Sequence, residues 1–501
     1  MTLRTAIWAI AMFAGSAAII VDAGEQELTG AVRVLRVTNA SDDGSAGTLR
    51  WAINTSNATP GVKKIELELD PRQPQIIALK ESLPPIRGPV RIEAMAWKRT
   101  GAYTAIDGSG YVPPGGPKSC PGAVNGQYGA NVRTLTYPGL RLVDTDDVEI
   151  SGVEVRHFCI GILINRATRV VIHDSRIAEN HGGAGVMLTG DDGDGNATVT
   201  TIHNKVLRNE FVDNGDGLEL TRGAAFNLVA DNVFRSTPAN PEPSQGVEIL
   251  EGNENVLVRN KFEGYSDGVQ INWGNGNYIA ANEFKGNAFG LSLSGIGNIV
   301  DSNVISENRI GIAVRPSSPS TMVRLTRNRM HDNGKSILRC EDGGSCDPTA
   351  PKGPIVFGVP GPEHESFVGS RGGGVTPNPA KLQHICLQGG SHCEIAPNAG
   401  LVRPTLTRAD VAGSSLTVSG TFTGLKSSRF LVELFGNTDA TSGESEIFLA
   451  DREAYTDADG RAEFTIQIEL STIGAALRSL TATVTSAEGG TSPLSLPLQL
   501  R

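Results

Sequence analysis

The strongest constraint on the fold is a short pattern that returns along the chain: a glycine, an aliphatic residue, any residue and a second aliphatic residue. Successive copies lie 21 to 32 residues apart, and they begin at Gly161, Gly185, Gly217, Gly246, Gly268, Gly290 and Gly311. Self-similarity at this period marks a solenoid, and short alternating strands punctuated by glycine and asparagine indicate β structure. Each period is therefore predicted to be one coil of a parallel β-helix.

A second recurring feature lies between the glycine strands, where an asparagine precedes an apolar residue. These residues are Asn204, Asn232, Asn260, Asn282, Asn303 and Asn328. Asparagine tolerates the left-handed conformation of a coil corner, and stacked amides form hydrogen bonds between coils. Because a catalytic residue is needed once, the repetition predicts a structural role. The same argument assigns Asp216 and Asp267, which each precede a strand-opening glycine, to the scaffold.

Length and composition limit the class of protein. A chain of 501 residues is expected to form two or more domains, and 60 glycines with 5% aromatic residues suit a turn-rich β protein. The formal charge of −10 argues against nucleic acid or an anionic membrane surface as the main partner.

The first residues predict export. Arg4 precedes an apolar run that ends in the small-residue pattern Val21, Asp22, Ala23, which is typical of a signal peptide spanning 1–23. The alternative is a single membrane anchor. No later stretch is apolar enough to span a bilayer. We therefore expect a secreted, periplasmic or cell-surface protein with no membrane span in the mature chain.

Six cysteines agree with export, because an even count in an exported chain favours disulfides. Fifteen pairings are possible. The short separations favour Cys340 with Cys346 and Cys386 with Cys393, which leaves Cys120 with Cys159. A zinc site is the alternative, although the paired spacing of structural zinc ligands is absent.

The mature chain divides into four predicted parts. Residues 24–111 hold short strands and one amphipathic helix, which suits the cap of a solenoid. Residues 112–335 are the coils, and 336–400 form a disulfide-stapled irregular connector rich in glycine and proline. Residues 401–501 contain several short strands of alternating apolar and polar residues separated by turn residues, which predicts a small β-sandwich. The predicted fold class is thus all-β, a right-handed parallel β-helix followed by a sandwich.

The segment "VTNASDDGSAGTLRWAINTSN", followed by "SLPPIRGPVRIEA" and "AIDGSG", resembles the start of secreted bacterial right-handed parallel β-helix proteins with pectate-lyase-like architecture. "GGVTPN" and "TDADGRAEFT" are similar to the tails of such proteins. These motifs are structural, so the resemblance implies the fold and no reaction. The Gly-His-Gly and paired aspartates of polygalacturonases, the Lys and Arg pattern of polyuronate lyases and an alginate-epimerase motif are not present.

Alternation then predicts which side chains of the glycine strands point away from the solenoid core. They form an exterior sheet that turns polar in its middle: Leu163 and Asn165, Met187 and Thr189, Glu219 and Thr221, Glu248, Gln270 and Asn272, Ser292 and Ser294, and Ala313 and Arg315.

Glu219 and Glu248 are expected on adjacent coils about 4.8 Å apart. Repulsion would raise the pKa of one carboxyl. The two glutamates could serve as the acid and the nucleophile of a retaining glycosidase. They could instead bind calcium. The third alternative is that they are solvated side chains without a function.

Other side chains near this pair suit a glycan. Gln270 and Asn272 offer amide groups and Trp273 an aromatic face, although Trp273 could instead cover a turn. Thr221 and Arg222 complete the predicted substrate-binding set.

A separate loop, "GDDGDGN", predicts a calcium site. Asp192, Asp194 and Asn196 have a spacing that places oxygens around one cation, but the rest of an EF-hand loop is missing. A solvated turn is the alternative. The "TDADG" stretch at Thr456 is predicted to be a hairpin turn.

Three functions fit the sequence. The first is a polysaccharide lyase or glycoside hydrolase that acts through Glu219 and Glu248 on an extracellular or envelope glycan. Elimination also needs cations near the substrate, for which the strip offers Arg222 and Arg315, supplemented by calcium. The second is a non-catalytic carbohydrate-binding or surface adhesion protein. The third is a structural spacer that presents the sandwich.

Overall fold

The computed structural model describes residues 32–61, 63–113, 120, 137–191, 196–315, 321–334, 353–358, 375–376, 396–473 and 476–500. The predicted signal segment and the four cysteines from Cys340 to Cys393 lie outside these ranges. Across the ranges, the helices are all too short or too polar to span a bilayer.

The chain begins with strands and two helices. These are β1 (Arg33–Val37), α1 (Leu49–Ala58), β2 (Lys63–Leu67), β3 (Ile76–Ala78), β4 (Val90–Ala94), α2 (Met95–Thr100) and β5 (Thr104–Asp107).

Short strands then follow one another through the repeats. They are β6 (Pro138–Asp146), β7 (Val148–Ser151), β8 (Val153–Arg156), β9 (Ile160–Thr168), β10 (Val171–His173), β11 (Arg176–Ala178), β12 (Ala184–Thr189), β13 (Thr201–Ile202), β14 (Lys205–Leu207), β15 (Glu210–Val212), β16 (Asp216–Leu220), β17 (Ala224–Ala225), β18 (Leu228–Ala230), β19 (Val233–Arg235), β20 (Gln245–Leu250), β21 (Val256–Val258), β22 (Lys261–Glu263), β23 (Asp267–Asn272), β24 (Tyr278–Ala280), β25 (Glu283–Lys285), β26 (Phe289–Leu293), β27 (Ile296–Asp301), β28 (Val304–Ser306), β29 (Ile310–Val314), β30 (Met322–Thr326), β31 (Arg329–His331), β32 (Gly353–Gly358) and β33 (Val375–Thr376).

The last part holds β34 (Thr405–Ala412), β35 (Ser415–Thr423), β36 (Arg429–Asn437), β37 (Ile447–Tyr455), β38 (Arg461–Glu469), β39 (Ser479–Ser486) and β40 (Leu498–Gln499). Two short 3-10 helices lie at Pro397–Gly400 and Leu470–Thr472.

Three long sheets form the parallel β-helix that the repeat predicts. In the described part of the chain, the first sheet runs from β1 to β30, the second from β3 to β31, and the third holds the glycine strands from β6 to β32. The strands that were predicted to cap the solenoid are the first members of the first two sheets. Within the predicted connector, β32 continues the third sheet in parallel and β33 pairs with it antiparallel.

Stacked side chains fill the interior. Phe211, Phe234, Phe262 and Phe284 stack with ring centroids 4.3, 4.8 and 4.8 Å apart, and each is at most 1% exposed. Coil spacing in a parallel sheet is close to the distance at which offset rings attract, so a Phe at one position of each coil forms a continuous column.

Buried asparagines link the coils at three corners and confirm their predicted structural role. Asn260 donates through its backbone N and Nδ2 to Oδ1 of Asn282, and Asn282 repeats this toward Asn303. The predicted series needs one correction, because Asn204 bonds to Asn227 and belongs to a different ladder from Asn260. The expected left-handed backbone conformation is a second correction, because it occurs at the residue before each asparagine and not at the asparagine. These residues are His203, Asp231, Arg259, Ala281, Ser302 and Arg327.

Helix α1 forms where the sequence predicted a helix. The Thr48 side chain accepts a hydrogen bond from the Trp51 backbone N at its start, and Leu49, Ala52 and Ile53 are buried against the first coils. The disulfide predicted between Cys120 and Cys159 is present.

The C-terminal strands form the predicted sandwich. Within the ranges above, β34, β35 and β38 make one sheet, and β37, β36, β39 and β40 make the other. The stretch at Thr456 is a tight turn, in which Asp457 Oδ1 accepts from the backbone N of Asp459 and Arg461. The predicted hairpin was wrong, because β37 pairs with β36 and β38 pairs with β35, so the turn crosses from one sheet to the other.

The sandwich packs against the last described coils through polar contacts. Glu433 of β36 is 1% exposed and accepts from Thr326 Oγ1 at 2.6 Å and from the Arg327 backbone N. Burial raises the pKa of Glu433 to about 7. Nearby, Glu444 accepts from the backbone N and Nδ2 of Asn333 at 3.0 Å.

Candidate active site

The outer face of the third sheet brings Glu219, Glu248 and Gln270 into one row. Glu219 lies opposite Glu248 on the next coil, and Glu248 lies opposite Gln270 on the one after. This register is the one predicted from alternation, because the aliphatic residues on either side of each polar residue stack inward. Leu218 lies opposite Val247, and Leu220 lies opposite Ile249.

The same face is not the exposed surface that the sequence predicted. Glu219 is 3%, Gln270 7% and Asn272 4% exposed. Toward the N-terminal coils, Leu163 and Met187 are buried in an apolar cluster of their own. Alternation identifies the side of a sheet that a residue faces, but whether that side is covered depends on chain segments far away in sequence. The face is therefore an enclosed polar site.

Asp216 joins Glu219 on this face although only two residues separate them. A Cβ at Gly217 would lie against the Gly246 carbonyl oxygen and 2.7 Å from Phe234 Cδ1, so this position faces the core. Leu218 faces the core as well. With two consecutive inward positions, the strand breaks its alternation at the glycine, and Asp216 turns outward.

The repetition on which the assignment of Asp216 and Asp267 to the scaffold rested does not extend along the whole solenoid. Register aligns Ala184 with Asp216, Gln245 with Asp267, and Asp267 with Phe289. The position before each glycine is apolar in the outer coils and polar only in the three middle ones, the same coils that carry Glu219, Glu248 and Gln270. Comparing this position across all coils would have identified both aspartates.

The carboxyl groups of Asp216, Glu219 and Glu248 converge. One oxygen of each lies within 4.8 Å of the others. Burial raises the pKa of Asp216 well above its usual value, and the negative charges of Glu248 and Glu219 add to the effect. The sequence predicted a raised pKa within the pair Glu219 and Glu248, whereas the raised pKa described here belongs to Asp216, a residue that the sequence assigned to the scaffold. Burial and neighbouring carboxylates both favour the protonated form of Asp216.

A fourth acid borders the cluster. Glu242, in the segment before β20, accepts from the Gly182 backbone N at 2.7 Å, and its charge also acts on Asp216. Burial raises the pKa of Glu242.

A hydrogen-bonded chain closes the other end of the row. Arg315 Nη2 donates to Asn272 Oδ1 at 2.6 Å. Asn272 Nδ2 in turn donates to Glu248 Oε1 at 3.0 Å and to Gln270 Oε1 at 2.6 Å. These contacts fix the orientation of the Glu248 carboxylate and of both amides.

The remaining predicted binding residues lie at the edge of this arrangement. Thr221 is 1% exposed and directly follows the Glu219 strand, while Arg222 pairs with Asp191 at 2.8 Å. Trp273 takes a left-handed backbone conformation with φ 57° and is half-buried at the coil corner. Its backbone N donates to Ser294 Oγ. The corner position is the alternative that the sequence left open for Trp273.

Two sets of residues have oxygens suited to a hard cation such as calcium. Asp216, Glu219 and Glu248 each offer one oxygen to a shared point. Of the loop residues predicted to bind calcium, Asp192 and Asp194 lie outside the described ranges, and Asn196 is exposed. The loop site stays a prediction.

Comparison with known proteins adds three findings. Residues 242–349 match the family model described as a right handed beta helix region. Over 475 residues the chain is 52% identical to the 3-dehydroshikimate dehydratase of Acinetobacter baylyi, covering 94% of this chain and 96% of that protein.

Among solved structures, a polygalacturonase from Erwinia carotovora ssp. carotovora is similar with a TM-score of 0.40 at 10% identity, covering 59% of this chain and 94% of that one. A periplasmic alginate epimerase is similar with a TM-score of 0.33 at 14% identity, covering 54% and 68%. Likeness at this level concerns the β-helix alone.

Proposed function

This chain belongs to the family of the Acinetobacter baylyi 3-dehydroshikimate dehydratase, and we propose that it catalyses the dehydration of 3-dehydroshikimate. The observation that carries the proposal is 52% identity along nearly the full length of both chains. The enclosed carboxylate cluster supports it, because it supplies the acid and the base that a dehydration requires.

The chemistry follows from the substrate's structure. In 3-dehydroshikimate a ketone at C3 acidifies the proton on C4, and C5 carries a hydroxyl group in the β position. A base removes the C4 proton, the electron pair forms the C4–C5 double bond, and the C5 hydroxyl leaves as water after receiving a proton. A proton then moves from C6 to the ketone oxygen, which gives aromatic 3,4-dihydroxybenzoate. General acid and general base catalysis serve both ends of such an elimination.

The geometry supports a division of roles between two carboxyl groups. Asp216, whose pKa is raised by burial and by neighbouring carboxylates, holds the proton that the leaving hydroxyl needs. The Glu248 carboxylate, oriented by Asn272, takes the C4 proton. Because their oxygens lie within 4.8 Å, a proton can return from Glu248 to Asp216 after each turnover.

Burial of the row favours a small substrate. Glu219, Gln270 and Asn272 are each less than a tenth exposed. A polymer needs an open groove along several sugar units, whereas one six-membered ring occupies about the spacing of one coil.

The test is turnover of 3-dehydroshikimate by the purified chain, with 3,4-dihydroxybenzoate measured by chromatography and mass. We expect Asp216→Asn and Glu248→Gln to lower kcat by about a hundredfold or more, the usual scale for removing a general acid or base. Glu463→Gln, the same chemical change at an exposed sandwich position, is the matched control. Full activity in both site variants, or no product from the wild-type protein, contradicts the proposal.

A second candidate is the polysaccharide lyase or hydrolase suggested by the sequence. The observation that favours it is the carboxylate spacing, which suits a retaining glycosidase. A panel of acidic and neutral polysaccharides, with and without calcium, tests it through new reducing ends and the absorbance of unsaturated uronates. Binding of a glycan without either signal would instead favour a non-catalytic carbohydrate-binding protein at the cell surface.

A further inference from the structure

Arg315 reaches Asn272 from a coil two steps further along the solenoid, and Asn272 in turn contacts Glu248 of the carboxylate cluster. Ser294 lies between Asn272 and Arg315 on the same face, and their strands are joined by Ser294 N to Ile271 O at 3.1 Å and Arg315 N to Leu293 O at 2.8 Å. The serine is small enough for the arginine side chain to pass over it. Arg315 Nη2 therefore reaches back to Ile271 O and Asn272 Oδ1, both at 2.6 Å.

The guanidinium group has donor capacity left over. Arg315 is 2% exposed, and its Nε has no hydrogen-bond partner among the described residues. A buried N–H without an acceptor is costly, so a ligand oxygen at this position would be strongly favoured. Burial lowers the pKa of Arg315 to about 10, which leaves the group charged at neutral pH, and the charges of Asp267 and Glu248 support that charge.

Of the two arginines predicted for this strip, Arg315 is the one that bonds to the row, through Asn272. Arg222, the other arginine predicted for this strip, pairs with Asp191 at 2.8 Å. Acidic residues dominate the rest of the row, and they repel a carboxylate unless a positive group compensates. Arg315 supplies that group at the end of the row farthest from Asp216.

We propose that Arg315 binds the ring carboxylate of the substrate and thereby selects a carboxylated six-membered ring over a neutral one. This inference rests on the proposed dehydration. With the carboxylate at Arg315, the opposite side of the ring extends toward Glu248 and Asp216, because C4 lies across the ring from the carboxylate-bearing carbon. Arg315 would thus place the reacting atoms as well as bind the anion.

The experiment is calorimetric binding of two ligands that differ in charge, 3,4-dihydroxybenzoate and its neutral amide. We expect the wild-type protein to prefer the carboxylate roughly tenfold to a hundredfold, as a charge-assisted hydrogen bond allows. Arg315→Met should abolish this preference, and Arg315→Lys should keep part of it. Arg329→Met, at an exposed position of the second sheet, is the matched control and should bind like the wild type.

The outcomes separate the two proposals. Equal affinity of the wild-type protein for acid and amide overturns the role of Arg315, even if dehydration is observed. Retained preference in Arg315→Met overturns it too. Failure of the wild-type protein to bind either ligand or to turn over 3-dehydroshikimate overturns the dehydration itself. Because the wild-type comparison alone can reject the role of Arg315, a misfolded variant does not remove the test.

Discussion

Asp216 and Glu219 direct their carboxyl groups to the same face of β16, although a regular strand places residues three apart on opposite faces. Gly217 makes this possible, because the position faces the core at a point where the next coil's backbone leaves no space for a side chain. The candidate acid of the site therefore depends on a glycine of the scaffold.

The role of Gly217 predicts a specific cost for Gly217→Ala. Its Cβ would meet the Gly246 carbonyl oxygen and Phe234, so overpacking should destabilise the protein by roughly 1–3 kcal/mol. Thermal and urea unfolding measure this. Gly443→Ala is the control, since the nearest atom to its added Cβ is Pro497 Cδ at 3.8 Å. Equal stability of both variants would show that β16 relaxes without strain.

Asp216→Asn should change the pH dependence of stability. The folded pKa of Asp216 lies above its unfolded value, so the carboxyl contributes stability at low pH that is lost as pH rises through the folded pKa. The asparagine cannot ionise and avoids this loss. We expect the melting temperature of Asp216→Asn, relative to the wild type, to rise with pH above about 4. A constant difference across pH would contradict the raised pKa.

Glu433 predicts a second pH effect, at the contact between the sandwich and the coils. Its pKa rises from 4.5 to about 7 on folding, so stability is full below pH 4.5 and falls toward pH 7. The shift corresponds to about 3 kcal/mol. Glu433→Gln keeps an acceptor for Thr326 and should reduce the fall by the part that Glu433 causes, whereas the exposed Glu463→Gln should leave it unchanged. Unfolding free energies at pH 4.5 and 7 decide between these outcomes.

The phenylalanine column should be the most sensitive part of the core. Phe262 stacks on Phe234 and Phe284 with centroids 4.8 Å away on both sides. Phe262→Ala should cost about 3–5 kcal/mol, because the fixed coils above and below cannot close the cavity. Phe226→Ala, at a site 46% exposed, should cost far less. Similar urea midpoints for both variants would contradict a rigid column.

The repeat alone predicted much of what the structure contains. The period of the repeat and the position of its glycine predicted the parallel β-helix, the row of Glu219, Glu248 and Gln270, and the structural role of the asparagines. These follow from local rules, since each coil must place its aliphatic residues over those of the next. The assignment of Asp216 to the scaffold rested on its recurrence before a strand-opening glycine, but that position is polar in only three coils. At Gly217 strict alternation also fails, because the approach of the Gly246 backbone turns Asp216 to the outer face.

The sequence by itself thus determined the solenoid, its register and the side of the third sheet on which the acids lie, because these depend on periodicity and on neighbouring coils. Only the tertiary structure decided that this side is enclosed, that the carboxyl of Asp216 converges with those of Glu219 and Glu248, and that Arg315 reaches Asn272 across an intervening coil. Burial and side-chain reach depend on segments distant in sequence, and these two quantities convert a row of polar residues into a site with a raised pKa and a buried cation.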